Sequence, residues 1–322
     1  MMRNRIFAAV ALAVGMVAFA PAQADTYPTQ PIRVVVPFGA GGVTDITARV
    51  FAEGLSRELG QPVVVENRPG AGGGIAASAV AKARPDGYTL LVITNGMFAV
   101  NPWIYPKLPY DPKKDFTYVA MLAHTPNILA VSANSPYKSL GDLVKAAAGG
   151  KGKLSFSTAG EGSDNYQVLQ LFQQATNTQW LQVPYKSGSE SLTAMIGGQA
   201  DATAISAATV GSFIQGGQVR PFVVTSKRRL ESLPEIPTVK EVLGKDLEGG
   251  SLSGVAVPAG TQADIVQRLN SAISAVAASP LAHEKIYSRG SERVDSSQTA
   301  FEERVKREQE RWSSLLRNRK EQ

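Results

Sequence analysis

A strand, a glycine-rich loop and a helix follow one another between residues 31 and 57. Apolar side chains at Ile32 and at positions 34–36 stop at Pro37, which predicts a short buried strand. Residues 38–42 read Phe-Gly-Ala-Gly-Gly, and helical spacing begins at Thr44. The apolar residues of this helix, which we expect to face the core, are Ile46, Val50, Leu55 and Leu59.

This arrangement predicts an anion-binding site where the loop enters the helix. A helix N-terminus carries unpaired backbone N–H groups and the positive end of the helix dipole. Glycines allow a ligand to approach the backbone closely. A phosphate or a carboxylate would suit such a site equally well.

The pattern of strand, loop and helix recurs three times. The later loops cover residues 67–74, 158–163 and 186–190. Strands that alternate with helices favour parallel pairing with helices on both faces of the sheet, and ligands bind at the carboxyl ends of such strands. We therefore expect four loops, two from each of two lobes, to meet in one cleft around a small anion.

Prolines indicate where the chain crosses between lobes. Two strands are predicted, at residues 118–124 and 127–132, with Pro126 between them. We predict that lobe one comprises residues 25–125 plus 223–322 and that lobe two comprises residues 126–222. The ligand cleft would lie between them.

The first 24 residues have the features of a secretory signal peptide. Arg3 and Arg5 precede an apolar run at residues 6–20, which ends in Pro-Ala-Gln-Ala. This run is shorter than the roughly 20 residues that span a membrane. Cleavage would leave a mature chain that begins at Asp25. Because the chain has no cysteine, it cannot be lipid-anchored through one, and we expect an exported protein in the periplasm.

The charge balance argues against nucleic acid as a partner. Removal of Arg3 and Arg5 lowers the formal charge from +6 to +4. Basic residues in the predicted last helix alternate with glutamates between residues 302 and 320, which is typical of a solvated helix face. We expect a monomer that does not bind nucleic acid.

The residue inventory gives little support for an enzyme. The chain has two histidines, His124 and His283, and no cysteine, so a multi-His or Cys metal site is excluded. Gly162-Ser163 lacks the G-x-S-x-G context of a nucleophile elbow. Thr44 stands where a dinucleotide-binding loop has its third glycine. We expect no catalytic residue, metal or cofactor, and a periplasmic hydrolase is the weaker alternative.

Several runs of sequence, taken together, carry a specific resemblance over essentially the whole mature chain. They are VPFGAGGVTDITAR, VVVENRPGAGGGIAA, ARPDGYTLL, NPWIYPKLPYDPKKDF, STAGEGS, VPYKSGSESLTAMIGGQAD, LPEIPTV and VAVPAGT. In this order they resemble the Bug family of extracytoplasmic solute receptors, the TctC-type binding proteins of tripartite tricarboxylate transporters.

The resemblance implies a two-lobed Venus-flytrap fold of the type II-like periplasmic binding proteins, with mixed, mostly parallel sheets flanked by helices. It implies capture of a small organic acid and delivery to a membrane permease of the tripartite tricarboxylate type. Loop backbone N–H groups, hydroxyls and waters would hold the ligand carboxylate. The residues implied by the family are Phe38, Ala40, Gly41, Gly42, Asp45, Thr158, Ala159, Gly162 and Ser163.

Other candidates come from their positions in the chain. Asn95 ends a predicted strand of lobe one and could reach the ligand, although an Asn-Gly turn explains it equally well. Tyr185 could line the cleft, and Lys186 could pair with a second carboxylate or lie on the surface of its lobe. Asp45 could organise bridging waters or be an ordinary acid of a first helical turn.

The chain departs from the family pattern at positions that would contact the variable part of the ligand. Tyr166 and Gln167 replace a frequent His-Leu pair, and residues 204–206 read Ala-Ile-Ser. A smaller and more apolar wall that includes Ser206 favours a mono- or dicarboxylate, with aromatic acids included. A receptor that reports its ligand to a membrane signalling partner would use the same pocket and stays open.

Overall fold

The computed structural model describes residues 27–150 and 153–320. The predicted signal peptide at residues 1–24 lies outside this part of the chain. The strands are β1 (Ile32–Val36), β2 (Val63–Asn67), β3 (Thr89–Thr94), β4 (Phe116–Ser132), β5 (Ser155–Thr158), β6 (Leu181–Pro184), β7 (Ala202–Ser206), β8 (Val219–Val224) and β9 (Gly250–Pro258). The helices are α1 (Val43–Leu59), α2 (Gly74–Ala81), α3 (Asn101–Ile104), α4 (Leu140–Ala148), α5 (Asp164–Thr176), α6 (Gly188–Ile196), α7 (Ala207–Gln215), α8 (Val239–Leu243), α9 (Ala263–Ala278), α10 (Pro280–Lys285) and α11 (Gln298–Lys320).

The strands form a curled, mixed sheet in the order β2-β1-β3-β9-β4-β7-β5-β6, and β8 also pairs with β4. Strand β1 pairs in parallel with β2 and β3, and β5 pairs in parallel with β6 and β7. The antiparallel pairs all involve β4 or β9. The two-lobed α/β fold with mixed sheets is confirmed: lobe one is built on β1, β2, β3, β9 and the first part of β4, and lobe two on β5 to β8 and the last part of β4.

One long strand joins the two lobes, where the sequence pattern predicted two strands. β4 runs for 17 residues and passes through Pro126. Its residues up to Pro126 pair with β9, whereas those from Asn127 onward pair with β7 and β8. The prediction of a break was wrong because these pairing partners are distant in sequence and keep the chain extended on both sides of the proline.

The neighbouring strand has a glycine where it meets this proline. Gly250 is paired with Pro126 and has a φ of +131°, and a Cβ atom there would lie 2.3 Å from the Thr125 carbonyl oxygen. The position therefore requires glycine. On the other side of β4, Val223 and Val224 still pair with lobe-two residues of β4, so β8 ends two residues after the predicted boundary at 222/223.

Helix α1 packs on the sheet and on α9, and this fixes the direction of its N-terminus. Phe51 and Leu55 are buried against the sheet, and Gly54 allows Val276 of α9 to approach closely. The expectation that Ile46 faces the core was wrong, because 47% of Ile46 is exposed. Nine residues separate Ile46 from Leu55, about two and a half helical turns, so the two side chains point to opposite sides of the helix.

The C-terminal helix covers the other face of the sheet. Phe301 and Trp312 of α11 are buried in a core cluster that also contains residues of lobe two. Arg304 of α11 pairs with Glu248 at 2.8 Å and with Glu308 at 3.0 Å, and only 18% of its side chain is exposed. Across residues 27–150 and 153–320, none of the helices combines the length and apolar character needed to cross a membrane.

Candidate functional site

A cavity of about 800 Å³ lies in the cleft between the lobes. Its walls include residues from each of the four loops that the sequence singled out: 38–44, 69–72, 159–164 and 186–189. The start of α7 and the end of β3 also contribute to the lining. The helices α1, α5, α6 and α7 all begin at this cavity, so their positive dipole ends converge on it.

The N-terminus of α1 offers backbone donors that lack a protein acceptor. The first intrahelical bond runs from the Ile46 N–H to the Gly42 carbonyl at 2.9 Å. Gly42 is the N-cap residue and has no side chain that could cap the helix. The N–H groups of Val43 and Thr44 make no hydrogen bond to any described residue, and both residues line the cleft. This end of a 17-residue helix is therefore equipped to bind an anion.

A network centred on Asp45 holds the preceding loop in shape. Asp45 Oδ2 accepts from the Gly41 N–H at 2.9 Å and from Arg49 Nε at 3.0 Å. Asp45 Oδ1 accepts from Asn67 Nδ2 at 2.7 Å, and the same amide donates to the Phe38 carbonyl at 2.9 Å. Burial raises the pKa of Asp45, but the hydrogen bonds from Arg49, Asn67 and Gly41 outweigh it and the pKa is lowered. The carboxylate thus positions the loop from behind.

The corresponding loop of lobe two satisfies most of its own donors. The Ala159 N–H and the Ser163 hydroxyl both donate to Asn165 Oδ1, at 3.0 and 2.7 Å. The Gly160 N–H donates to Thr158 Oγ1 at 3.3 Å. Ser163 Oγ also accepts from the Tyr166 N–H and caps α5. Hydrogen bonds within the loop fix its shape and occupy most of its donors. The N-terminus of α1 therefore has more N–H groups free for a ligand.

Most of the predicted site residues line the cleft. Those that do are Phe38, Ala40, Gly41, Gly42, Asn95, Ala159, Gly162, Ser163 and Ser206. Asp45, Thr158 and Tyr185 do not, because Asp45 and Thr158 lie behind their loops and are nearly fully buried. The Tyr185 N–H donates to the Thr158 carbonyl at 2.8 Å, which continues the pairing of β5 and β6 by one residue.

Asn95 lines the cleft, but its amide is bound to protein. Its Nδ2 donates to Gln167 Oε1 at 2.8 Å and to the Gly250 carbonyl at 3.0 Å, and its Oδ1 accepts from the Leu252 N–H at 3.1 Å. This side chain therefore links lobe one to α5 of lobe two.

Sequence reasoning missed Asn67, Asp164 and Thr209. Asn67 is the last residue of β2 and pairs with Val36, the last residue of β1. Its place at the start of the 67–74 loop would have suggested it from sequence alone. Asp164 and Thr209 lie in the first turns of α5 and α7 and line the cleft. Burial raises the pKa of the Asp164 carboxyl, an effect reduced by hydrogen bonding from nearby backbone N–H groups and the Asn127 side chain.

The cleft is not strongly positive. The charged side chains in its lining are Glu161, Asp164 and Lys186. An anion in this cleft would therefore be held by oriented N–H groups more than by net charge, as the arrangement at α1 permits.

Neither histidine belongs to the cleft lining. His124 is buried and its Nδ1 lies 2.9 Å from Glu292 Oε2, while His283 is exposed on α10. Ser163 therefore has no imidazole beside it. Among the described residues there is no group of three or more His, Cys, Asp or Glu side chains placed to hold a metal ion.

Comparison with known proteins identifies the family. Residues 47–320 match the profile of the tripartite tricarboxylate transporter family receptors, TctC. A Pseudomonas sp. strain P51 protein from the tcbD-tcbE intergenic region is 35% identical over 315 residues, which covers 98% of this chain and 94% of that protein.

Three solved structures are similar over nearly their whole length. A Rhodopseudomonas palustris protein with adipate is 34% identical with a TM-score of 0.83, covering 90% of this chain and 97% of that one. MatC of the same organism with bound malate is 31% identical with a TM-score of 0.79, covering 90% and 100%. The periplasmic binding protein BugD is 31% identical with a TM-score of 0.80, covering 91% and 98%. The chain therefore belongs to the Bug, or TctC-type, family of tripartite tricarboxylate transporter receptors, which are periplasmic solute-binding proteins.

Proposed function

We propose that this protein captures a small organic carboxylate in its interlobe cleft and delivers it to a permease of the tripartite tricarboxylate type. The observation that carries the proposal is the N-terminus of α1, where the N–H groups of Val43 and Thr44 face the cleft without a protein acceptor. A carboxylate would accept short, charge-assisted hydrogen bonds from these donors. The malate and adipate bound to two relatives belong to this class of ligand.

In this proposal the two lobes have unequal roles. In lobe one the backbone N–H groups of Val43 and Thr44 bind the carboxylate, and Phe38 covers it. The Gly162 N–H, which donates to no described residue, closes on it from lobe two. The lobes correspond to the sequence division into residues 25–125 plus 223–322 and residues 126–222, except that β8 continues lobe two to Val224. Closure would form the surface that the permease recognises. The ligand shifts the equilibrium toward the closed form only to the extent that it binds the closed form more tightly than the open form.

A proline substitution can remove one of these donors with little disturbance. Val43 is the first residue of α1, where proline is well tolerated, and Gly42 before it has the extended conformation (φ −75°, ψ 163°) that a following proline requires. We expect Val43→Pro to weaken carboxylate binding by about tenfold or more, because a hydrogen bond to a charged group contributes about 1.5–3 kcal/mol.

The matched control is Ala263→Pro at the first residue of α9. Ala263 is exposed, and Gln262 before it is also extended (φ −59°, ψ 144°). Isothermal titration calorimetry on protein that begins at Asp25, unfolded and refolded to remove any host ligand, would test malate, succinate, adipate, citrate and benzoate. Equal binding by wild type and Val43→Pro would exclude α1 as the carboxylate site, and failure of all five acids would reject the carboxylate class.

Export and delivery need cellular tests. We propose that residues 1–24 are cleaved on export, so the periplasmic protein should have Asp25 as its N-terminal residue in mass spectrometry. In a deletion strain, wild type should restore uptake of the acid and Val43→Pro should not. Loss of ligand-induced transcription with unchanged uptake would instead favour the signalling receptor.

We propose that the protein has no catalytic role, because neither His124 nor His283 lies in the cleft lining. Nuclear magnetic resonance spectra of a bound acid should therefore stay unchanged over a long incubation.

A further inference from the structure

Unpartnered polar atoms gather on the lobe-two wall of the cleft. Among the described residues, Asn127 Oδ1, Asn165 Nδ2 and Ser206 Oγ are buried and make no hydrogen bond. Asn127 and Ser206 are direct partners in the pairing of β4 with β7. Asn165 lies on α5, which packs on both of these strands. Buried polar atoms are normally satisfied, so a cluster of exceptions calls for a ligand or an ordered water.

Asp164 brings a carboxyl group to the same place. It is the first residue of α5, next to Asn165, and it lines the cleft. None of the ion pairs among the described residues includes Asp164. Asp164 lines the same cavity as Ser206, and burial raises the pKa of its carboxyl. Asp164 is partly buried, and a carboxylate in such a place without a cation partner gains from any donor that a ligand supplies.

Ser206 borders the cavity at the end of β7, where its hydroxyl oxygen is buried. Only 6% of it is exposed, it lines the cleft, and its hydroxyl does not cap α7 although it occupies the N-cap position. The apolar wall expected from residues 204–206 is therefore incomplete. Ala204 is fully buried and absent from the lining, so Ile205 and Ser206 form that part of the wall.

The two side chains select for a particular kind of substituent. A ligand hydroxyl can donate to the Asp164 carboxylate and accept from Ser206 Oγ, and an ammonium group can donate to both. A methylene or an aromatic C–H edge can do neither and would leave both groups desolvated without partners.

We propose that Asp164 and Ser206 form a specificity subsite for a hydrogen-bond-donating substituent, a hydroxyl or an amino group, on the carboxylate ligand. The ligand is then a hydroxy- or amino-substituted acid in preference to the unsubstituted acid of the same length. This inference rests on the proposed function, since it assumes that a carboxylate occupies the N-terminus of α1.

Matched ligands test the inference. Calorimetry would compare succinate with malate and aspartate, and glutarate with 2-hydroxyglutarate and glutamate. We expect wild type to bind the substituted member of at least one set about tenfold more tightly. Ser206→Ala should reduce that preference to about threefold or less. Asp164→Asn keeps an acceptor for a hydroxyl but loses the charge that favours ammonium, so it should retain a hydroxyl preference and lose an amino preference.

The control is Glu161→Gln, which removes the same charge from the other acid of the cleft. Glu161 is exposed and has no place in the cluster, so the preference should persist. Wild-type binding that does not distinguish the members of either set overturns this inference and leaves the proposed function standing. An unchanged preference in both Ser206→Ala and Asp164→Asn also overturns it. Failure of every acid to bind wild type overturns the proposed function and this inference with it.

Discussion

The side chains of Asn95 and Gln167 hydrogen-bond each other across the cleft, with 2.8 Å between Asn95 Nδ2 and Gln167 Oε1. Both residues are buried, one at the end of β3 and the other on α5. Gln167 Nε2 also donates to the Gly162 carbonyl at 3.0 Å. Gln167 therefore contacts both lobe one and the loop that precedes α5, so a change in the separation of the lobes would also affect the position of that loop.

We predict that Gln167→Leu weakens ligand binding about fivefold. The substitution removes a net contribution of about 1 kcal/mol from this contact between the lobes and leaves the Gly162 carbonyl without its donor. Calorimetry with a bound acid would measure the change. Gln173→Leu is the matched control on the same helix: Gln173 accepts from the Trp180 N–H within lobe two, so its loss should lower the melting temperature and leave affinity unchanged. Equal affinity in wild type and Gln167→Leu would contradict the prediction.

Gly96 and Gly162 meet without side chains at the same contact between the lobes. A Cβ atom on Gly96 would lie 2.7 Å from the Gly162 carbonyl oxygen, and backbone atoms there cannot move aside cheaply. We predict that Gly96→Ala holds the lobes apart and weakens ligand binding roughly tenfold or more. Small-angle scattering should detect a larger radius of gyration with ligand present.

Gly211→Ala serves as the control for Gly96→Ala. Gly211 lies inside α7 and its Cβ would meet nothing within 4 Å. Alanine there should stabilise the fold by about 0.5–1 kcal/mol and leave binding intact. A Gly96→Ala protein with normal affinity would show that the lobes tolerate a wider separation.

Asp45 is predicted to act on the ligand through the loop that it holds. Asp45→Ala removes the acceptor of the Gly41 N–H and of Asn67, so residues 38–42 lose their fixed shape. We expect carboxylate affinity to fall roughly tenfold, about 1.4 kcal/mol. The control Asp142→Ala removes a first-turn acid that completes the capping box of α4, away from the cleft. That variant should lose stability and keep its affinity.

The same carboxylate predicts a pH dependence of stability. Because the folded-state pKa of Asp45 is lowered, its contribution is present above the unfolded value of about 3.9 and is lost as pH falls through the folded pKa. Wild type should therefore melt at a higher temperature than Asp45→Asn at pH 7, and the difference should shrink toward zero in the acid range. A difference that stays constant down to pH 3 would mean that the charge of Asp45 is not what stabilises the loop.

Local features of the fold were accessible from sequence, and features set by distant pairing were not. The unit of β1, loop and α1 could be predicted because Pro37, the glycines and the helix spacing all lie within about 30 residues. The continuity of β4 through Pro126 could not, since it depends on β7, β8 and β9. The exposure of Ile46 needed only a more careful count of helical turns.

The site divides in the same way. Loop residues such as Gly41 and Gly162 could be predicted because glycine-rich turns at strand ends are readable from the chain. The cluster around Ser206 could not, because its polar atoms come together only through the register of Asn127 with Ser206 and the packing of α5 on both strands. Asp164 was not singled out, because acids are common in first helical turns and its place in the cleft lining is set by the tertiary structure.

Asp164 should reduce the stability of the ligand-free protein at neutral pH. Its folded-state pKa is raised by burial, so the destabilisation is absent below the unfolded value of about 3.9 and grows as pH rises through the folded pKa. The other charged groups of the cleft lining are Glu161, an acid of the same charge, and Lys186, which forms no ion pair with Asp164. Asp164→Asn should therefore raise the melting temperature at pH 7–8 and leave it unchanged near pH 3.

Asp142→Asn should have the opposite effect at pH 7, because the capping hydrogen bonds lower the pKa of Asp142. A lower melting temperature for Asp164→Asn at pH 7 would mean that other groups of the folded protein already stabilise the Asp164 carboxylate. The physical reason for this carboxylate to prefer a hydrogen-bond donor on the ligand would then be lost.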